Sequence, residues 1–179
     1  MQTIQPLRPE NVSGPARRIL ETLNYEHGGL SNMLRTMAHS PETLQAYLHF
    51  NRELEDGPLG PMLVEKIALS VAQVDESEYS LARHTVRAWV LGISEEEILS
   101  IREGRVADKK TEAALRFARG LARRTGDYSI TELRNAGYSD ADIVSIIACV
   151  GLNSFANLFN AVTKTELDFP KVVLATQAA

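Results

Sequence analysis

Apolar residues recur three and four positions apart along most of the chain, and Gly, Pro and Ser residues separate the segments that carry this pattern. The period is typical of amphipathic α-helices, and no segment shows the strict alternation of a half-buried β-strand. We therefore predict one all-α domain over 1–179, built of antiparallel helices. It comprises an N-terminal arm (1–14), a helix pair (61–92) and a second half (94–170).

Short capping motifs mark several helix starts. A Ser or Asp followed three residues later by an acidic residue is the pattern of a capping box, in which the two residues satisfy the free N–H groups of the first turn. Four such motifs begin at Asp75, Ser94, Ser129 and Ser139. The last motif opens the longest predicted helix, which extends from about 141 to 163.

Two ten-residue segments, 92–101 and 137–146, align without gaps and are identical at half of their positions. In each of them Gly ends one helix, Ser caps the next and acidic residues follow at the positive end of the new helix. We interpret the pair as an internal helix–turn–helix repeat that arose by duplication.

Polar residues interrupt two successive predicted helices at positions that can face each other. Glu65 lies in the apolar segment 62–74, and Ser80 and His84 are four residues apart on the next helix, so their side chains share one face. A tight turn near Asp75 would bring the second helix back beside the first. Glu65 and His84 can then form a carboxylate–imidazole pair. The alternative is a pair that only satisfies two polar groups in a helical core.

The order and spacing of these residues resemble the alkylhydroperoxidase D / carboxymuconolactone decarboxylase family over about residues 24–170. That family carries Glu, then Cys-x-x-Cys, then His four residues later; here Glu65 lies twelve residues before Ser77, and His84 four after Ser80. The resemblance implies that Glu65 and His84 are a proton relay and that Ser77 and Ser80 occupy the positions of the redox cysteines. It also implies a homo-oligomer, trimeric or hexameric, that uses no cofactor.

The two serines remove the chemistry for which the family is best known. A serine hydroxyl ionises far less readily than a thiol and cannot form a disulfide, so a thiol peroxidase cycle cannot run at this site. The single cysteine, Cys149, lies in an apolar helical segment and is predicted to be a small core residue.

We favour a family member that works without thiols and transfers protons on a small organic molecule. In this hypothesis His84 is the general acid or base and Glu65 orients it. The candidates for hydrogen bonds to the substrate are Ser77, Tyr79, Ser80, Asn153 and Asn157. The last two belong to a polar row that continues with Asn160 and Lys164, for which a helix–helix or subunit contact is the alternative.

Three other hypotheses remain open at this stage. The protein could be a catalytically silent relative that binds or scaffolds, or a peroxidase-class antioxidant protein whose cysteines were replaced, naturally or by engineering. Ser80, His84 and Glu65 also have the residue types of a hydrolytic triad, although nothing resembles a nucleophile elbow.

Composition narrows the choice of partners. The net charge of −4 argues against a nucleic-acid partner. No purely apolar run reaches the roughly 20 residues of a membrane span, so we expect no membrane partner. One cysteine agrees with a reducing, cytoplasmic location, and the four scattered histidines give no metal-ligand pattern.

Overall fold

The computed structural model describes residues 2–27, 29–126 and 128–174; of His27 and its neighbour Glu26 only the backbone is described. Within these ranges the chain forms nine α-helices and no β-strand, which confirms the all-α prediction. A single 3-10 turn, Pro9–Asn11, precedes them. The helices are α1 (Gly14–His27), α2 (Asn32–Met37), α3 (Pro41–Asp56), α4 (Gly60–Val74), α5 (Glu78–Val90), α6 (Glu95–Glu103), α7 (Lys109–Arg123), α8 (Ile130–Asn135) and α9 (Asp140–Thr163).

Helix α4 is the centre of the fold. It packs against α3, α5, α6, α7 and α9, because it is apolar on nearly every side and a helix of that kind is stable only when surrounded. Buried polar side chains interrupt its apolar surface at Glu65, Ser70 and Gln73. Glu65 therefore lies in the middle of the molecule.

The turn between α4 and α5 differs from the prediction. Asp75 ends α4 and does not cap α5; its carboxylate accepts a hydrogen bond of 2.8 Å from Asn157 Nδ2 on α9. Glu76 follows with a positive φ of 52°, and Ser77 is the residue before α5. The capping box proposed for Asp75 was therefore wrong, since an acid at that position serves the contact with α9 instead.

The other three capping serines are confirmed. Each side-chain oxygen accepts a hydrogen bond from the backbone N–H three residues later, at Ser94, Ser129 and Ser139. Only the third motif closes a full box, in which Asp142 accepts from the backbone N–H of Ser139 at 2.8 Å. In the first two motifs the acidic side chain pairs with a cation, Lys66 or Arg116, rather than returning to its own helix.

The two repeat segments have the same local structure. Gly92 and Gly137 both adopt left-handed φ values, 82° and 87°, and each is followed by a serine N-cap. The matching apolar positions Ile101 and Ile146 are both fully buried. The predicted helix–turn–helix correspondence is present in the fold, whereas its origin by duplication stays an interpretation.

Helix α2 has no counterpart in the sequence-based prediction. It holds only six residues, which is too short to show a helical period, and Ser31 caps it. Met33 and Met37 nevertheless bury their side chains almost completely. The short helix places the Met33 backbone against α5, which becomes relevant below.

Helix α9 is long and apolar enough to cross a membrane, judged by length and composition alone. The sequence analysis did not identify it as such, because Asn and Ser residues interrupt its apolar run. One face of α9 is buried against α4, α7, α3 and α5. Such a helix is also common in the core of water-soluble proteins.

Candidate active site

Glu65 and His84 form a hydrogen-bonded pair between α4 and α5. The distance from Glu65 Oε1 to His84 Nδ1 is 2.7 Å, and the two residues are 2% and 5% exposed. The carboxylate accepts, so the Nδ1 atom carries the proton and the lone pair of a neutral imidazole lies on Nε2. The structure thus brings together the two residues expected to form the relay.

The second oxygen of Glu65 is also occupied. Arg87 Nε lies 3.1 Å from Glu65 Oε2, and Arg87 Nη2 lies 2.6 Å from Glu55 Oε2 on α3. Arg87 is one helical turn beyond His84 and links the two carboxylates. A buried carboxylate needs such a partner, because an unpaired charge in a helical core is strongly unfavourable.

A second arginine faces the reactive nitrogen of the histidine. Arg83 Nη1 lies 3.4 Å from His84 Nε2, and the Arg83 side chain is half-buried. Burial lowers the pKa of Arg83, but the electrostatic interactions with Tyr47 and Glu65 outweigh it and raise that pKa above its ordinary value. The guanidinium is therefore a permanent cation beside the imidazole.

The two serines lie at the first turn of α5 in different surroundings. Ser77 is the half-buried N-cap residue, and its side chain makes no capping hydrogen bond. Ser80 is 3% exposed, and its hydroxyl accepts a hydrogen bond of 3.3 Å from Asn160 Nδ2. In a hydrolytic triad the Ser80 hydroxyl would bond His84 Nε2, but that nitrogen faces Arg83. This geometry does not favour the triad.

Tyr79 points toward α2. Its hydroxyl accepts a 3.1 Å hydrogen bond from the backbone N–H of Met33, and its ring packs edge-on against Phe169, with centroids 5.7 Å apart. Burial raises the pKa of the Tyr79 phenol well above its usual range. Tyr79 therefore ties α5 to α2 and to the C-terminal segment, and a contact with substrate stays a prediction.

The polar row on α9 splits into three kinds of contact. Asn153 donates to the carbonyl of Cys149 in its own helix, 2.8 Å away, whereas Asn157 binds Asp75 in the α4–α5 turn. Asn160 donates to Ser80, and its Oδ1 atom is buried without a hydrogen-bond partner among the described residues. Asn157 and Asn160 thus hold α9 against the first turn of α5.

Cys149 is fully buried, as expected. Its thiol lies 3.7 Å from the carbonyl of Val64, and burial raises its pKa to about 12. A thiol with such a pKa is protonated at neutral pH and is a poor nucleophile.

Sequence reasoning missed the arginines and Glu55. The signal was available, since Arg83 and Arg87 are four residues apart on α5 and Arg87 lies one turn after His84. The described part of the chain holds no group of three or more metal-ligating side chains. An open cleft between α6 and α7 includes Lys66 but neither Glu65 nor His84 among its lining residues.

Residues 41–124 match the model of the Carboxymuconolactone decarboxylase family. This segment contains the Glu65–His84 pair and both serines of α5. The comparison with curated proteins found no match.

Solved structures resemble the chain over almost its whole length. An uncharacterized peroxidase-related protein from Silicibacter sp. TM1040 is 20% identical, with a TM-score of 0.78 and 91% of each chain covered. The alkylhydroperoxidase AhpD core of a peroxidase-related protein from Ralstonia eutropha is 16% identical, with a TM-score of 0.80 and 94% of each chain covered.

The debrominase Bmp8, in complex with 2,3,4-tribromopyrrole, is 18% identical and has a TM-score of 0.79, with 94% of this chain and 92% of that chain covered. At these identities the likeness shows a shared fold. Residues 41–124 thus match the carboxymuconolactone decarboxylase family, and the chain has the all-α fold of the AhpD-like, peroxidase-related structures.

Proposed function

We propose that the protein transfers protons on a small organic molecule, with His84 as the general acid or base and without any thiol. The observation that carries the proposal is the 2.7 Å contact between Glu65 Oε1 and His84 Nδ1 in a buried setting. Glu65 fixes the tautomer of His84 and leaves the lone pair on Nε2, which faces Arg83; in this proposal the substrate displaces the guanidinium from Nε2, and Nε2 then accepts the proton.

The positive charge of Arg83 favours a substrate that is an anion or becomes one during the reaction. When a base removes a proton from carbon next to a carbonyl group, negative charge develops on the carbonyl oxygen, and a nearby cation stabilises it. Arg83 Nη1 lies 3.4 Å from His84 Nε2 and can therefore serve the same substrate. A carboxylate-bearing lactone of the kind for which the matched family is named has this chemistry.

The test is exchange of carbon-bound hydrogen for deuterium in carboxymuconolactone, followed by NMR in deuterated water, together with assay for loss of carbon dioxide. We expect exchange or decarboxylation with the unaltered protein and at least a hundredfold loss in His84→Gln, since general acid–base groups contribute about 10²–10⁴-fold. His49→Gln is the matched control, because its side chain is 75% exposed on α3. Equal activity in His84→Gln would exclude the mechanism.

A second candidate substrate class follows from the fold neighbour that binds 2,3,4-tribromopyrrole. A halogenated pyrrole is the candidate, with its ring beside the imidazole of His84 and the guanidinium of Arg83. Calorimetric titration with 2,3,4-tribromopyrrole tests this class directly. Binding that disappears in both His84→Gln and Arg83→Met would favour it over the lactone.

If the protein is catalytically silent, we expect the opposite result. A binding or scaffold protein needs the Glu65–His84 pair only for packing, so His84→Gln would alter its stability and leave no catalytic rate to lose. A screen that detects ligand binding but neither exchange nor decarboxylation would support that role. Proton transfer would exclude it.

A further inference from the structure

The outward face of α9 carries an unusual row of exposed apolar side chains. Five of them follow one another at intervals of three, eight, three and four residues and are 41–67% exposed, namely Val144, Ile147, Phe155, Leu158 and Val162. Gly151 fills the gap in the spacing and is also exposed. We call these six residues the α9 stripe. It is about 27 Å long at the helical rise of 1.5 Å per residue.

The charges of α9 lie only at its two ends. No acidic or basic residue occurs between 143 and 163, whereas Asp140 and Asp142 open the helix and Lys164 closes it. In an antiparallel pair of α9 helices, the basic end of each helix would therefore lie beside the acidic end of the other. In that arrangement the helix dipoles also oppose each other.

We propose that the α9 stripe is the contact surface for a second copy of this chain, paired antiparallel about a two-fold axis at the level of Asn153. Such an axis places a residue of one copy opposite the residue of the other copy that lies equally far from position 153 in the other direction. Val144 of one copy then meets Val162 of the other. Asp142 meets Lys164 by the same rule, and each pair occurs twice, as a two-fold interface requires.

At the centre of the proposed contact, a small residue of one copy lies opposite a large residue of the other. Gly151 meets Phe155 of the second copy, and a Cβ atom placed on Gly151 has no neighbour within 4 Å. The Phe155 ring is 41% exposed and already packs against Tyr47, with centroids 6.3 Å apart. A glycine opposite a phenylalanine lets two helices approach closely, as small residues do in tightly packed helix pairs.

Helix α3 extends the surface beyond one helix. Phe50 is 42% exposed and lies one turn from Tyr47, the residue of α3 whose ring packs against Phe155. Stable protein interfaces bury about 1,200–2,000 Å² in total, and two helices from each copy are a realistic source of that area.

Sedimentation equilibrium tests the pairing. We expect the unaltered chain to form an assembly with an even number of copies, and Leu158→Glu to raise its dissociation constant at least tenfold by placing a carboxylate in the apolar stripe. Val90→Glu is the matched control, because Val90 is 81% exposed on α5 and lies outside the stripe. Lys164→Glu should weaken the pair as well, since it sets like charges opposite Asp142.

Crosslinking tests the register. Gly151→Cys and Phe155→Cys chains, mixed and oxidised, should give a disulfide-linked dimer in high yield, and each variant alone should give little. The native Cys149 is buried and does not interfere. Circular dichroism of each variant before mixing confirms that it is folded.

Three results would overturn the proposal. They are a monomer at all concentrations, a trimer that Leu158→Glu leaves intact, and stronger crosslinking in Gly151→Cys alone than in the mixture, which would indicate parallel helices. Co-sedimentation with phosphatidylcholine vesicles that is lost in Leu158→Glu would instead assign the stripe to a lipid surface. A hexamer that dissociates into smaller units in Leu158→Glu, together with the expected crosslink, would agree with three such pairs.

Discussion

Glu65 uses both carboxylate oxygens within one side of the α5 helix: Oε1 lies 2.7 Å from His84 Nδ1, and Oε2 lies 3.1 Å from Arg87 Nε. His84 and Arg87 are one turn apart on α5. A single buried acid on the central helix thus fixes the orientation of two side chains on its neighbour.

Removing the charge of Glu65 should destabilise the fold. In Glu65→Gln the buried His84 and the half-buried Arg87 face an amide instead of a carboxylate, and breaking one partner of a buried ion pair typically costs about 3–5 kcal/mol. We expect a loss of about 3 kcal/mol in the free energy of unfolding, measured by urea denaturation. The control is Glu53→Gln, whose side chain is 65% exposed and should change stability by less than about 0.5 kcal/mol. Equal losses in the two variants would contradict the role of Glu65.

Cysteines placed at positions 77 and 80 should introduce thiol chemistry. Ser77 and Ser80 are three residues apart at the first turn of α5, and a helix N-terminus lowers the pKa of a thiol placed there. We expect the Ser77→Cys/Ser80→Cys variant to consume tert-butyl hydroperoxide with dithiothreitol as the reductant, whereas the unaltered chain does not. Turnover by the unaltered chain would show that a serine at these positions is no barrier. An inert double variant would mean that thiols at these two positions cannot reach a hydroperoxide.

Gly104 should be more sensitive to substitution than other left-handed glycines. It ends α6 with a φ of 75°, and an added Cβ would approach Arg119 Cδ to 2.6 Å. Gly92 has a similar φ of 82°, but its Cβ would meet nothing within 4 Å. Both alanine variants lose the glycine backbone freedom, worth about 1 kcal/mol. Gly104→Ala should lose about 1 kcal/mol more than Gly92→Ala in urea unfolding; equal losses would mean that Arg119 moves aside freely.

Lowering the pH should destabilise the first turn of α9. Hydrogen bonds from Ser139 lower the pKa of Asp142 below its ordinary value of 3.8. Because the folded-state pKa is the lower one, the carboxylate stabilises the fold above about pH 4, and this contribution disappears as the pH falls through the folded-state pKa. The stability difference between the unaltered chain and Asp142→Asn should therefore shrink from pH 6 to pH 2. A constant difference across that range would contradict the role of the charge.

The sequence was informative where short-range rules decide the structure. Helical period and serine caps predicted most helices, and the twelve-residue spacing from Glu65 to the α5 start placed the acid opposite His84. Asp75 was misjudged because a residue of capping type also suits a contact between helices, and the partner Asn157 is 82 positions away. Helix α2 was missed because six residues are too few to display a period.

The charged partners of the Glu65–His84 pair could not be predicted from a local sequence pattern either. Glu55, on α3, reaches the site only through Arg87, and nothing in the sequence around Glu55 indicates that contact. The inward direction of Tyr79 likewise depends on the Met33 backbone, which α2 carries to α5. Both features arise from the packing of elements that are distant along the chain.

The hydrogen bonds of the Glu65–His84 pair have a wider consequence. Its partners are Arg83 and Arg87, whereas Ser80 binds Asn160 on a different helix. The Glu65–His84 pair and Ser80 are thus held by separate sets of contacts. A different side chain at position 80 would therefore leave the hydrogen bonds of the Glu65–His84 pair in place, so this fold can vary one without dismantling the other.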